Sequence, residues 1–184
     1  MSEFNSLTAS ELGDLIGKGE IDPVELTEYF ISQIDLSPIG KKIYSTVTSQ
    51  LALEQAKDSK IRAKLGRRLS SLDGVPISWK DLFDITGYPC EAGSDLLAGR
   101  LANKNAKVYN FAEAHGLICL GKTHMSELAF SGLGLNPVKE TPPCVNYPGA
   151  VPGGSSSGAA TSVAFGLAAA GIGSDTGGSV RIPA

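Results

Sequence analysis

Between Gly149 and Gly178, nine of thirty residues are glycine and five are serine. Average usage would put about two glycines in that length. The excess falls largely in two short segments, Gly153-Gly154-Ser155-Ser156-Ser157-Gly158 and Gly173-Ser174-Asp175-Thr176-Gly177-Gly178-Ser179. Paired glycines tolerate positive φ, allow close backbone approach and leave N–H groups exposed, so both segments read as turns. Between them, the small residues from Ser155 to Phe165 have helical potential, and Leu167 to Gly173 reads as a strand. Turn, helix, strand and turn in succession would bring serines and a row of amide donors from two places in the chain together.

The rest of the chain fits an α/β arrangement. Thr8 and Glu11 have capping-box spacing ahead of Leu12, Leu15 and Ile16, which predicts a helix ended by Gly17 and Gly19. Asp22 as N-cap with Pro23 in the first turn starts a second helix, which buries Leu26, Phe30, Ile31 and Ile34. A third is expected from about Ser49 to Leu65. From Leu72 the texture changes. Gly74 to Asp81 reads as a short apolar strand ending in two charges, Asn105 to His115 as a helix, Gly116 to Gly121 as a buried strand, and Thr123 to Phe130 as a further helix. Residues 131–154 read as loop. Helices alternating with short apolar strands imply a mixed sheet flanked by helices. Residues 1–184 read as a single domain, with a helical lead-in over 1–71 and a core over 72–184.

Composition excludes several classes of function. The 184 residues carry a net charge of −3 with 19% charged residues, which argues against disorder and against nucleic acid or an anionic membrane as a direct partner. The weakly polar run Val163 to Gly173 has eleven residues, short of the ~20 that a span needs. Cys90, Cys119 and Cys144 form no CxxC pair, and no secretion signal stands at the N-terminus, so a reducing, cytoplasmic setting is expected. His115 and His124 are the only histidines, and no Cys/His ligand spacing is present. Neither metal nor cofactor is expected.

Two motif matches fail on physical grounds. Gly116 to Thr123 matches the P-loop pattern, but Leu117, Ile118, Cys119 and Leu120 would be the buried strand itself rather than a loop curled around phosphate. Gly154 to Gly158 matches G-x-S-x-G around Ser156, but that serine needs a histidine later in the chain, and both histidines come earlier. With histidine badly placed, lysine is the remaining base for a serine nucleophile. Lys80, closing an apolar strand, is the best candidate. Its plain alternative is a surface lysine beside Asp81.

Several segments in order resemble the amidase signature family. These are Pro152 to Gly158 with Gly173 to Ala184, Gly74-Val-Pro-Ile-Ser-Trp-Lys-Asp81 followed by Ala92-Gly-Ser94, and Gly121-Lys-Thr-His-Met-Ser-Glu-Leu-Ala129. The resemblance implies an amide hydrolase with a Ser-Ser-Lys triad. Ser179 is then the nucleophile, Ser155 the bridging serine, usually preceded by a cis peptide, and Lys80 the base. Thr176, Gly177 and Gly178 match the turn whose N–H groups form the oxyanion hole. Asp175 and Arg181 match positions that hold this turn. Such chemistry needs a neutral Lys80, and burial lowers a lysine from its ordinary ~10.4 by penalising the ammonium.

Trp79 stands where the family usually has a smaller aliphatic residue, and Ser157 where glycine is common. Ala184 falls five residues after Ser179, inside the signature. On the family pattern this reads as a truncated domain, incomplete at its C-terminus and of low stability or activity alone. The expected partner is a small-molecule amide, with a homo-oligomer left open. Two other readings are the glutaminase component of a tRNA-dependent amidotransferase, which releases ammonia from glutamine, and a non-catalytic α/β remnant.

Overall fold

The computed structural model describes residues 4–184. The first helix, α1 (Ala9–Lys18), opens on the expected capping box: the Glu11 N–H donates to Thr8 Oγ1, and the Thr8 N–H to Glu11 Oε2. Gly19 ends it in the left-handed conformation. In α2 (Pro23–Leu36), Asp22 Oδ1 accepts the Val24 N–H at 2.8 Å and proline occupies the first turn. A short helix, α3 (Gly40–Ile43), leads into strand β1 (Tyr44–Val47), followed by α4 (Ser49–Lys64). Then come β2 (Pro76–Lys80), α5 (Lys107–Ala114), β3 (Ile118–Thr123), α6 (Ser157–Ala164) and β4 (Ala170–Ile172).

The four strands form one mixed sheet in the order β1-β3-β2-β4. β2 runs parallel to both β3 and β4, with Lys80 opposite Thr123 and Trp79 opposite Ile172. β1 closes the sheet antiparallel to β3. Helix α4 packs on α2 and β3, while α6 lies against β4, β2 and α3. The core gathers Leu12 and Ile16 of α1, Leu26, Phe30 and Ile34 of α2, Ile77 and Trp79 of β2, and Leu120 of β3. Trp79 sets its ring edge-on to Phe83 and tilted against Tyr109, at centroid distances of 5.6 and 5.2 Å. The bulky side chain at this position is therefore absorbed by aromatic packing.

Two local expectations are corrected. Strand β1 lies inside the segment read as helical. Its four residues are too few to show an alternating pattern, and it is held by pairing with β3 and by the Tyr44 hydroxyl donating to the Leu167 carbonyl at 2.9 Å. The helix expected from Thr123 does not form. β3 continues to Thr123, and only a single 3-10 turn follows, at Glu127–Ala129, with Leu128 and Ala129 at positive φ. Tertiary partners take the backbone groups that a helix would use. Ser126 N–H donates to the Ser155 carbonyl, Leu128 N–H to the Ala92 carbonyl, and the Asn136 amide to the carbonyls of Met125 and Gly93.

Candidate active site

The site gathers at the carboxyl ends of the parallel strands, where crevices form in open α/β sheets. Lys80 is the last residue of β2 and has no solvent exposure, which removes the surface-lysine alternative. Its Nζ lies 2.7 Å from Ser155 Oγ and 2.8 Å from Ser174 Oγ. Burial lowers its pKa to about 8, against the opposing pull of the Asp175 carboxylate.

Ser155 is delivered by the first glycine turn. The Gly153 and Gly154 N–H groups donate to the Leu133 and Gly132 carbonyls, and the Gly154–Ser155 peptide is cis. A side chain on Gly154 would meet the Gly134 backbone at 2.6 Å, so this approach requires glycine.

The second turn is tied to the first through Ser156. The Ser156 N–H donates to the Ser179 carbonyl at 3.0 Å. Its hydroxyl donates to the Ser174 carbonyl and accepts the Ser174 N–H, both at 3.2 Å. Ser179 itself is half-buried and opens a helical turn in which Ile182 N–H donates to the Gly178 carbonyl. The Asp175 carboxylate organises this turn by accepting the N–H groups of Gly178, Val180 and Arg181 and pairing with the Arg181 guanidinium. These donors hold the Asp175 pKa far below the usual carboxylate range, the Arg181 hydrogen bond contributing most.

The structure thus joins Lys80 to Ser155, and the Ser179 backbone to Ser156. Among the described residues, no hydrogen bond joins the Ser179 hydroxyl to Ser155 Oγ, and Ser174 takes the second place on Lys80. One expected oxyanion donor needs correction: the Gly178 N–H is directed at Asp175 Oδ1 at 2.8 Å and is committed there. The N–H groups of Thr176, Gly177 and Ser179 make no hydrogen bond among the described residues.

Sequence reasoning missed Ser174 and the clamp built by Ser156. Ser174 lies two residues beyond β4, and the parallel pairing of β4 with β2 brings that turn beside the end of β2, which no local pattern in the sequence signals. Lys122, the lysine of the P-loop-like match, lies fully buried in β3, paired with Asp81 at 2.8 Å and with the Pro89 carbonyl. With Gly116 to Thr123 leading into and forming a central strand, no phosphate cradle exists there. Among the described residues, no hydrogen bond links either histidine ring to Ser155, Ser156 or Ser179. Burial pushes the Cys119 thiol up to about 11 and raises that of Cys90, which makes both poor nucleophiles. No group of three or more His, Cys, Asp or Glu among the described residues is placed to hold a metal ion. No helix among them is long and apolar enough to cross a membrane.

Residues 25–184 match the family model described as Amidase. The chain belongs to the amidase family. A glutamyl-tRNA(Gln) amidotransferase subunit from Chloroflexus aggregans is 36% identical over 184 residues, covering 100% of this chain and 38% of that relative. Its counterpart of the same name from Thioalkalivibrio sulfidiphilus is 39% identical over 181 residues, covering 96% and 36%. Among solved structures, the native peptide amidase of Stenotrophomonas maltophilia superposes with a TM-score of 0.88 at 27% identity, over 98% of this chain and 38% of that one. A fatty acid amide hydrolase gives a TM-score of 0.87 at 25% identity, over 100% and 33%. The chain therefore spans about 38% of the length of the first of these amidase-family relatives.

Proposed function

We propose that the protein hydrolyses a carboxamide C–N bond through an acyl-enzyme, with Ser179 as nucleophile, Ser155 as proton bridge and Lys80 as base. The observation that carries this reading is the buried Lys80 nitrogen, 2.7 Å from Ser155 Oγ, in a chain whose family is the amidases. A buried amine titrating near 8 is partly neutral at working pH and able to accept a proton.

The Ser179 side chain turns toward Ser155 and attacks the carbonyl carbon. The Ser179 proton passes to Ser155 Oγ as the Ser155 proton passes to Lys80 Nζ. The negative charge on the carbonyl oxygen is met by the N–H groups of Thr176, Gly177 and Ser179, where a single donor is typically worth ~3–4 kcal/mol. Collapse breaks the C–N bond, and the leaving nitrogen takes a proton back along the same relay. Water then attacks the Ser179 ester with the relay acting again as base, which releases the carboxylic acid and restores Ser179.

The relatives bear on the substrate class. The 36–39% identity to proteins named as glutamyl-tRNA(Gln) amidotransferase subunits supports a second reading, in which the amide is the side chain of glutamine and the protein supplies ammonia within an assembly. Ammonia release from glutamine and from a panel of small primary carboxamides separates the two. Release from the panel without preference for glutamine supports the general amidase, and release confined to glutamine supports the glutaminase. No release from any amide by the full-length protein, alone or with the partners of its assembly, or release that survives Ser179→Ala, overturns the proposal.

A further inference from the structure

We propose that Ser174 is a positioning residue that holds one N–H of the Lys80 amine and so aims the nitrogen lone pair at Ser155. This inference rests on the triad reading above and assigns the part of it that the three triad residues leave open. Lys80 Nζ has two hydrogen-bond partners among the described residues, Ser155 Oγ at 2.7 Å and Ser174 Oγ at 2.8 Å. A neutral amine carries two N–H bonds and one lone pair, fixed tetrahedrally and turning only together about the Cε–Nζ bond. To accept the Ser155 proton, the lone pair must face Ser155, so an N–H must be anchored elsewhere. Ser174 is the remaining acceptor. Its position is set independently of the lysine, because the Ser156 hydroxyl holds both the N–H and the carbonyl of Ser174 at 3.2 Å. Parallel pairing of β2 with β4 brings that turn beside the end of β2.

The charges around Lys80 allow a clean reading of its titration. Asp175, on the same turn as Ser174, is the carboxylate acting on it. On β3, Lys122 is closed in its pair with Asp81, which directly follows β2, and Cys119 on β3 and His124 just after it are held toward their neutral forms by burial. Neither α6 nor β4 carries a titratable side chain. An acceptor oxygen favours the ammonium over the amine, since a charged donor makes the stronger hydrogen bond. Loss of the Ser174 hydroxyl therefore lowers the Lys80 titration midpoint while slowing proton transfer.

The test compares Ser174→Thr with Ser174→Val in the full-length protein, two side chains of one shape that differ in the hydroxyl. The probe is a fluorophosphonate, with the maximal inactivation rate and the inhibition constant measured from about pH 6 to about pH 10. Ser174→Thr is expected within about threefold of wild type, with an unchanged midpoint. Ser174→Val is expected to lose on the order of tenfold to a hundredfold in maximal rate, with an unchanged inhibition constant and a midpoint moved to lower pH. If neither variant folds, Ser174→Ala should show the same loss and the same move, and wild-type values from it overturn the proposal, as does identical behaviour of Val and Thr. Lys80→Ala is run alongside. Wild-type inactivation of Lys80→Ala removes the triad reading itself, whereas a silent Lys80→Ala with Val equal to Thr removes only the role of Ser174.

Discussion

Under the proposed mechanism, the buried amine of Lys80 makes activity and stability both rise with pH. Proton acceptance needs the neutral form, so turnover is expected to rise with pH through about 8, and a pH–rate profile checks this. Its folded-state pKa is depressed below the ordinary ~10.4, so between about 8 and ~10.4 the unfolded chain binds more protons than the folded one. Stability then increases with pH across that window, and the cost of burying the ammonium is fully present below it. Lys80→Met removes this dependence. Urea unfolding at several pH values should show wild type gaining on Lys80→Met by on the order of 2 kcal/mol between neutral pH and pH ~10; parallel curves would contradict the buried amine. Lys80 stood out in the sequence because it ends an apolar strand, a local pattern, whereas Ser155 was picked out by the resemblance of its Gly-Gly-Ser turn to the family. Ser174 was not, because its meaning depends on the register between β2 and β4, which no local pattern encodes.

At the scale of elements, the site depends on two turns stitched to each other. Asp175 gathers three N–H groups and the Arg181 guanidinium around the Ser179 turn, and its charge also raises the pKa of Lys80. Asp175→Asn is therefore expected to slow Ser179 labelling by about tenfold and to move the Lys80 midpoint to lower pH. The same pH–rate measurement reads both effects. Helix α6 approaches closely enough that a side chain on Gly158 would meet the His124 carbonyl at 2.6 Å and the Ile43 carbonyl at 2.8 Å. Gly158→Ala should lower stability by about 1–3 kcal/mol in denaturant unfolding, since backbone on the far side has to move. Elements with their own end signals, such as α1 with its capping box and α2 with Asp22 and Pro23, could be read directly. β1 and the stretch after Thr123 could not, because both owe their conformation to backbone partners distant in sequence.

Across the whole molecule, three parallel strands bring the residues of the proposed site to one end. β2 ends on Lys80, β3 runs into Ser126, whose N–H holds the Ser155 carbonyl, and β4 leads to Ser174 and Ser179. The buried Asp81–Lys122 pair locks the ends of β2 and β3 together, with Lys122 also bonded to the Pro89 carbonyl. Lys122→Ala leaves a buried carboxylate without its partner and is expected to cost about 3–5 kcal/mol, measurable by thermal or urea unfolding. The most direct measurement is site-resolved mass spectrometry of the protein treated with a fluorophosphonate, in wild type and in Lys80→Ala, across the pH range around 8. The adduct is expected on Ser179, its rate of formation climbing as the lysine loses its proton, and Lys80→Ala is expected to slow it at least about a hundredfold. An adduct on another serine, or an unchanged rate without the lysine, would contradict the proposed triad.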